Sequence, residues 1–157
     1  KEAAERLLKN VGNDVRRLSH ELIPPRFDNA SLSELVCTYC QSMSAENGTI
    51  VKPFVSRSFE KLNLPSRTAL EVYRIVQESV SNAIKYGYSK MITVTLDASN
   101  NQASLCITND ISPEHPITQG KMGIGKDTLK MRTEALKAVL TISEQDEEYK
   151  VEVRFPL

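Results

Sequence analysis

Apolar residues at Leu8, Val11, Val15, Leu18 and Leu22 follow a 3, 4, 3, 4 spacing, which predicts a helix whose seam packs on another helix. Pro24 and Pro25 stop it, since neither offers an N–H and each clashes with a continuing helix. Ser31-Leu-Ser-Glu34 has the form of a capping box and opens a second helix to about Glu46, where Asn47-Gly48 breaks it. Residues 49–59 read as extended, and Pro53 within them argues for an edge strand or an interruption. Pro65 then suits the first turn of a long helix ending near Gly87. That helix places Tyr73, Val76, Val80, Ala83 and Ile84 on one face and Glu78, Asn82 and Lys85 on the other.

Strict alternation follows, with Ile92, Val94 and Leu96 and then Ala103, Leu105 and Ile107 flanking Ser99-Asn100-Asn101. This predicts two antiparallel strands joined by a turn. A loop with Pro113, Pro116 and Gly120 leads to Gly123-Ile124-Gly125 and a further helix, its buried side formed by Leu129, Met131 or the Arg132 stem, and Leu136. Two last strands cover 139–143 and 149–155, with 145–148 as their hairpin. Helices interleaved with these strands predict an α+β fold, a two-layer α/β sandwich with helices on one face of a mixed, mostly antiparallel sheet. The division expected is a bundle helix over 1–25 and one domain over 26–157.

Composition narrows the partners. Twenty basic and twenty acidic side chains cancel, so neither a nucleic-acid footprint nor an acidic disordered tail is indicated. No apolar run approaches the roughly 18 residues of a membrane span, and no signal peptide is visible. The chain starts at Lys1 inside a helical pattern, which suggests a soluble, cytoplasmic portion of a longer protein whose membrane anchor, if any, lies elsewhere. Three cysteines cannot all pair, which suits a reducing compartment. Cys37-Thr-Tyr-Cys40 sits in an apolar helical pattern without a second ligand pair, so core packing is expected rather than zinc.

Candidate chemistry begins with Glu78, Asn82 and Lys85. A carboxylate, an amide and an ammonium along one helix stripe could address a divalent cation and its phosphate cargo; a merely solvated face is the alternative. Gly123 and Gly125 before a helix would let backbone N–H groups approach a phosphate, with the helix dipole favouring its charge, although G-x-G by itself is also consistent with a plain turn.

In combination these pieces resemble a known family. Glu78-Ser-Val-Ser-Asn82-Ala-Ile-Lys85-Tyr86 is similar to the N box of the GHKL, or Bergerat, ATP-binding fold of gyrase, Hsp90, histidine kinases and MutL. The run from Gly120 through Gly123-Ile124-Gly125 and Arg132 to Leu136 resembles its second glycine box, in the form carried by sensor histidine kinases with a short ATP lid. Residues 14–25 are also similar to the end of the second dimerisation helix in that subfamily. The resemblance implies an ATP-dependent protein histidine kinase of a bacterial two-component system. Asn82 would then ligate Mg, Lys85 would contact phosphate, Glu78 would be the catalytic acid that orients or polarises a reacting group, and Gly123, Ile124 and Gly125 would line the phosphates. It further implies ATP and Mg as cofactors, a response regulator as partner and a homodimer through the bundle helix.

Two departures stand out. Where the family's first glycine box offers Asp-x-Gly for the adenine amino group, this chain reads Thr108-Asn109-Asp110-Ile111. Asn109 takes the expected position, with an amide that could flip, and Asp110 is the fallback. The Gly-Thr that usually opens the last strand is replaced by Tyr149-Lys150. The alternative reading is therefore a degenerate module of the same fold, binding nucleotide weakly or not at all and acting through protein partners; an anti-sigma-factor serine kinase is a third.

His20 lies in Leu18-Ser-His20-Glu-Leu-Ile-Pro-Pro, similar to the phosphoacceptor box of common histidine kinases. Only 62 positions separate it from Asn82, which leaves no room for the second bundle helix. His20 is accordingly read as a structural or signalling residue, with the acceptor outside this chain, and His115 as solvated.

Overall fold

The structure is a computed structural model that describes residues 2–22, 27, 30–87, 89–111 and 124–157. Burial follows the strand alternation. In β2 (Met91–Ser99), β3 (Gln102–Asp110) and β5 (Glu148–Pro156) every second residue is buried. One sheet face therefore carries Ile92, Val94, Leu96, Ala103, Leu105, Ile107, Val151, Val153 and Phe155 into the core. The opposite face carries Thr93, Thr108, Lys150, Glu152 and Arg154, all outside the core, with Glu152 accepting from Arg154 at 2.9 Å.

The sheet has five strands in the order β1-β2-β3-β5-β4. β1 (Ile50–Val55) runs parallel to β2, and the remaining pairs, including β4 (Val139–Gln145) with β5, are antiparallel. Pro53 sits in β1, which is an edge strand, where a missing N–H costs no central ladder bond. Both hairpins turn through residues with positive φ: Asn100 and Asn101 at 50° and 59°, Asp146 and Glu147 at 51° and 62°. These pairs match the right-handed twist of the flanking strands.

Helices cover the buried face. α2 (Leu32–Asn47) starts on the expected capping box at Ser31 and Glu34, and Gly48 closes it with φ 68°. The extended stretch is shorter than its sequence suggests. β1 ends at Val55, and Ser56 caps a single helical turn, α3 (Arg57–Glu60), by accepting from the Phe59 N–H. That turn drops Phe59 into the core. α4 (Ser66–Gly87) packs on β2, β3, α2 and α5 (Ile124–Ala135). Of the residues assigned to the inner side of α5, Leu129 and the following Leu136 are buried, Thr133 joins them, and Met131 points outward at 65% exposure. Cys40 is fully buried, as core packing requires, and that burial, with neighbouring Cys37, pushes its thiol up to about 12.

α1 (Glu2–Leu22) precedes this sandwich. Its seam residues Leu8, Val11 and Val15 are 72%, 52% and 57% exposed. No described helix is long and apolar enough to cross a membrane. Pro24 and Pro25 lie outside the described residues.

Candidate nucleotide site

α4 is held by its apolar face. Val72, Ile75, Val76 and Val80 have no exposed surface, and burying each such side chain contributes about 2 kcal/mol. Side-chain pairs along a helix surface contribute only a few tenths each, so the apolar face fixes the helix and leaves the polar stripe free for other work. On that stripe Glu78 and Asn82 are half-buried and Lys85 is exposed. Neither Asn82 nor Lys85 has a hydrogen-bond or ion-pair partner among the described residues.

Glu78 does have one. Arg132 on α5 donates through Nη1 to Glu71 Oε2 at 3.0 Å and brings Nε to 3.6 Å from Glu78 Oε2. The second contact is too long for a hydrogen bond, and Nε is buried without another acceptor, so it acts on Glu78 through charge. Burial raises the Glu78 carboxyl above the ordinary carboxylate range, and the Arg132 guanidinium pulls it part of the way back. Glu71 and Glu78 stand seven residues apart, two turns along one helix face, so a single cation spans both and ties α5 to α4. The sequence offers Arg132 as an apolar stem and as part of the run resembling the second glycine box, with no partner assigned; the two carboxylates at that spacing are the available signal for its bridging role.

The other end of α4 meets the end of β3. Asn109 is 3% exposed, and its Nδ2 donates to Ser89 Oγ at 3.0 Å and to the Asp110 carbonyl at 3.1 Å. The Asp110 carboxylate accepts from the Lys90 and Met91 N–H groups, each at 3.0 Å, and so closes the connection from α4 to β2. Ile111, where the resemblance expects glycine, donates its N–H to the Glu147 carbonyl at 2.7 Å and packs on the core. Tyr149 is buried beside Asn109, its register partner in the ladder.

Ile124 and Gly125 form the first turn of α5, and their side-chain surroundings are outside what is described. Gly123, His115 and the rest of 112–123 lie outside the described residues. His20 falls within α1, and its side chain also lies outside them. No cluster of three or more His, Cys, Asp or Glu side chains suited to a metal occurs among the described residues.

A five-stranded mixed sheet with helices on one face and α5 clamped to its central helix form a two-layer α/β sandwich of the kind seen in histidine kinase domains. Comparison with known proteins agrees. The chain is 24% identical over 142 residues to the sensor histidine kinase MctS of Rhizobium johnstonii, covering 88% of this chain and 30% of that protein. It is 30% identical over 97 residues to the oxygen sensor histidine kinase NreB of Staphylococcus carnosus, covering 62% of this chain and 27% of that one. The histidine kinase domain of a blue-light-activated kinase from Erythrobacter litoralis superposes with a TM-score of 0.65 at 16% identity, over 80% of this chain and 61% of that one. No protein-family model matches the chain. The chain thus has the fold found in histidine kinase catalytic domains and is similar in sequence to sensor histidine kinases, and it spans less than a third of the length of the curated relatives it matches.

Proposed function

We propose that this chain binds ATP with magnesium and presents the γ-phosphoryl group to a histidine outside residues 1–157, for relay to an aspartate of a response regulator. The observation that carries the reading is the stripe on α4: Asn82 and Lys85 stand without partners among the described residues, beside a half-buried Glu78, on a helix fixed by its opposite face.

The donor set fits magnesium, which takes hard oxygen ligands, is commonly bound through one or two protein groups plus substrate phosphates, and keeps several waters. Asn82 would supply the protein oxygen. When bound, the ion neutralises charge on the phosphates. Lys85, one turn beyond, would contact a phosphate oxygen, and the backbone at Gly123, Ile124 and Gly125 would approach the others. Glu78, held by Arg132, would orient the attacking group. Asn109 Oδ1 would accept from the adenine amino group. The Asp110 carboxylate is taken up by two backbone N–H groups, which supports Asn109 over Asp110 for that task. Phosphoryl transfer needs mainly positioning and charge neutralisation from the protein, and such a set supplies both. The exposed seam of α1 would pair with its copy in a second chain, making a helix bundle and a homodimer.

Calorimetric titration with ATP or ADP and magnesium tests the reading. Saturable binding is expected, weakened at least tenfold by Asn82→Ala. Absence of binding at millimolar nucleotide would instead favour the degenerate module, for which the Asn109 substitution is the specific motive.

A further inference from the structure

The amide of Asn109 has its orientation imposed by chemistry. Nδ2 faces two oxygens, the Asp110 carbonyl at 3.1 Å and Ser89 Oγ at 3.0 Å. A carbonyl can only accept. The Ser89 hydroxyl has carbonyls of its own within reach, Asp110 at 3.0 Å and Ala83 at 3.4 Å, and while its proton goes to one of them its oxygen accepts from Nδ2. Turning the Asn109 amide over would set Oδ1 against the Asp110 carbonyl and draw the Ser89 proton off the backbone, a loss of hydrogen bonds inside a buried site, where an unsatisfied polar group is costly. Gly87 leaves space for the arrangement: a Cβ there would lie 2.8 Å from Ser89 Oγ and 3.0 Å from Asn109 Nδ2. A carboxylate at 109 would face the Asp110 carbonyl with no proton to give it, whereas the amide donates there.

We propose that Ser89 is a positioning residue that sets the purine preference of the pocket: by engaging the Asn109 nitrogen it leaves Oδ1, which has no partner among the described residues, to face the base. The proposal rests on the nucleotide reading above. Adenine presents an amino donor at the edge where guanine presents its O6 acceptor. A fixed Oδ1 accepts from the first and repels the second. The anchor is also well placed, since Ser89 reaches back to the Ala83 carbonyl on α4, next in sequence to Asn82.

The test is calorimetric titration of the full chain with ATP and with GTP, each with magnesium, for the wild type and Ser89→Ala. The wild type is expected to favour ATP at least tenfold. Ser89→Ala removes one of the two acceptors that hold the nitrogen, and the ATP:GTP ratio is expected to narrow about three- to tenfold. A general loss of packing would weaken both nucleotides and leave the ratio in place, and an unchanged ratio overturns the proposal. Equal wild-type affinity for the two purines overturns it while leaving the nucleotide reading intact; no binding of either overturns both. An independent measurement guards against a variant that does not fold. The side-chain amide protons of Asn109 in the 15N-labelled wild type should be resolved and slow to exchange with solvent, and rapid exchange there refutes the lock.

Discussion

Replacing Arg132 by Met keeps the length of an unbranched side chain and removes the charge that spans Glu71 and Glu78. Their side chains are 30%, 21% and 20% exposed respectively, between the exposed pairs that contribute at most about 1 kcal/mol and the buried ones that cost about 3–5 kcal/mol to break. A loss of about 1.5–3 kcal/mol at pH 7.5 is expected, read as a fall of about 1 M in the urea midpoint for a usual slope of about 1–3 kcal/mol/M. The loss should depend on pH. Glu78 already has a folded pKa above its ordinary value because of burial, so the native state retains a proton that the unfolded chain releases. Stability from this group is therefore fullest below the ordinary carboxylate value and declines as pH rises through the folded one. Without Arg132, burial acts unopposed and the folded value climbs further, so the decline deepens and extends to higher pH. Urea melts from pH 4.5 to 8 should show wild type and variant converging at the acid end. Adding Glu78→Gln to the variant should recover about 1 kcal/mol at pH 7.5 and little at pH 4.5, since a neutral amide has no charge to desolvate. A destabilisation of the same size at every pH would refute the assignment of Arg132 as the counter-charge of Glu78.

Two further outcomes are expected. Gly48→Ala should cost about 1 kcal/mol in urea unfolding, because φ there is 68° while a Cβ would meet nothing within 4 Å, so the loss is backbone strain alone. Leu8→Asp with Val11→Asp should shift sedimentation toward the monomer while leaving the urea midpoint of the sandwich within about 0.5 kcal/mol, since both side chains are more than half exposed within one chain.

Much of the sandwich is legible in the sequence because each element repeats one signal. The alternation of β2 and β3, the capping box of α2 and the apolar stripe of α4 are local patterns, and core burial reinforces each of them. α3 escapes because its signal is a single serine: Ser56 caps one turn within a stretch whose composition otherwise reads as strand, and only the core's demand for Phe59 decides between the two. The candidate site divides along the same line. Glu78, Asn82 and Lys85 lie on one helix, so spacing alone gathers them. Arg132 reaches Glu71 across 61 positions and Ser89 reaches Asn109 across 20, and no periodicity records such pairs. The amide at 109 shows what this changes. In the sequence it is a carboxylate lost and a side chain free to flip; in the fold its nitrogen is committed to acceptors by Ser89 and the Asp110 carbonyl. On the proposal above, a serine twenty residues upstream positions that amide, and the two residues are best tested as a pair.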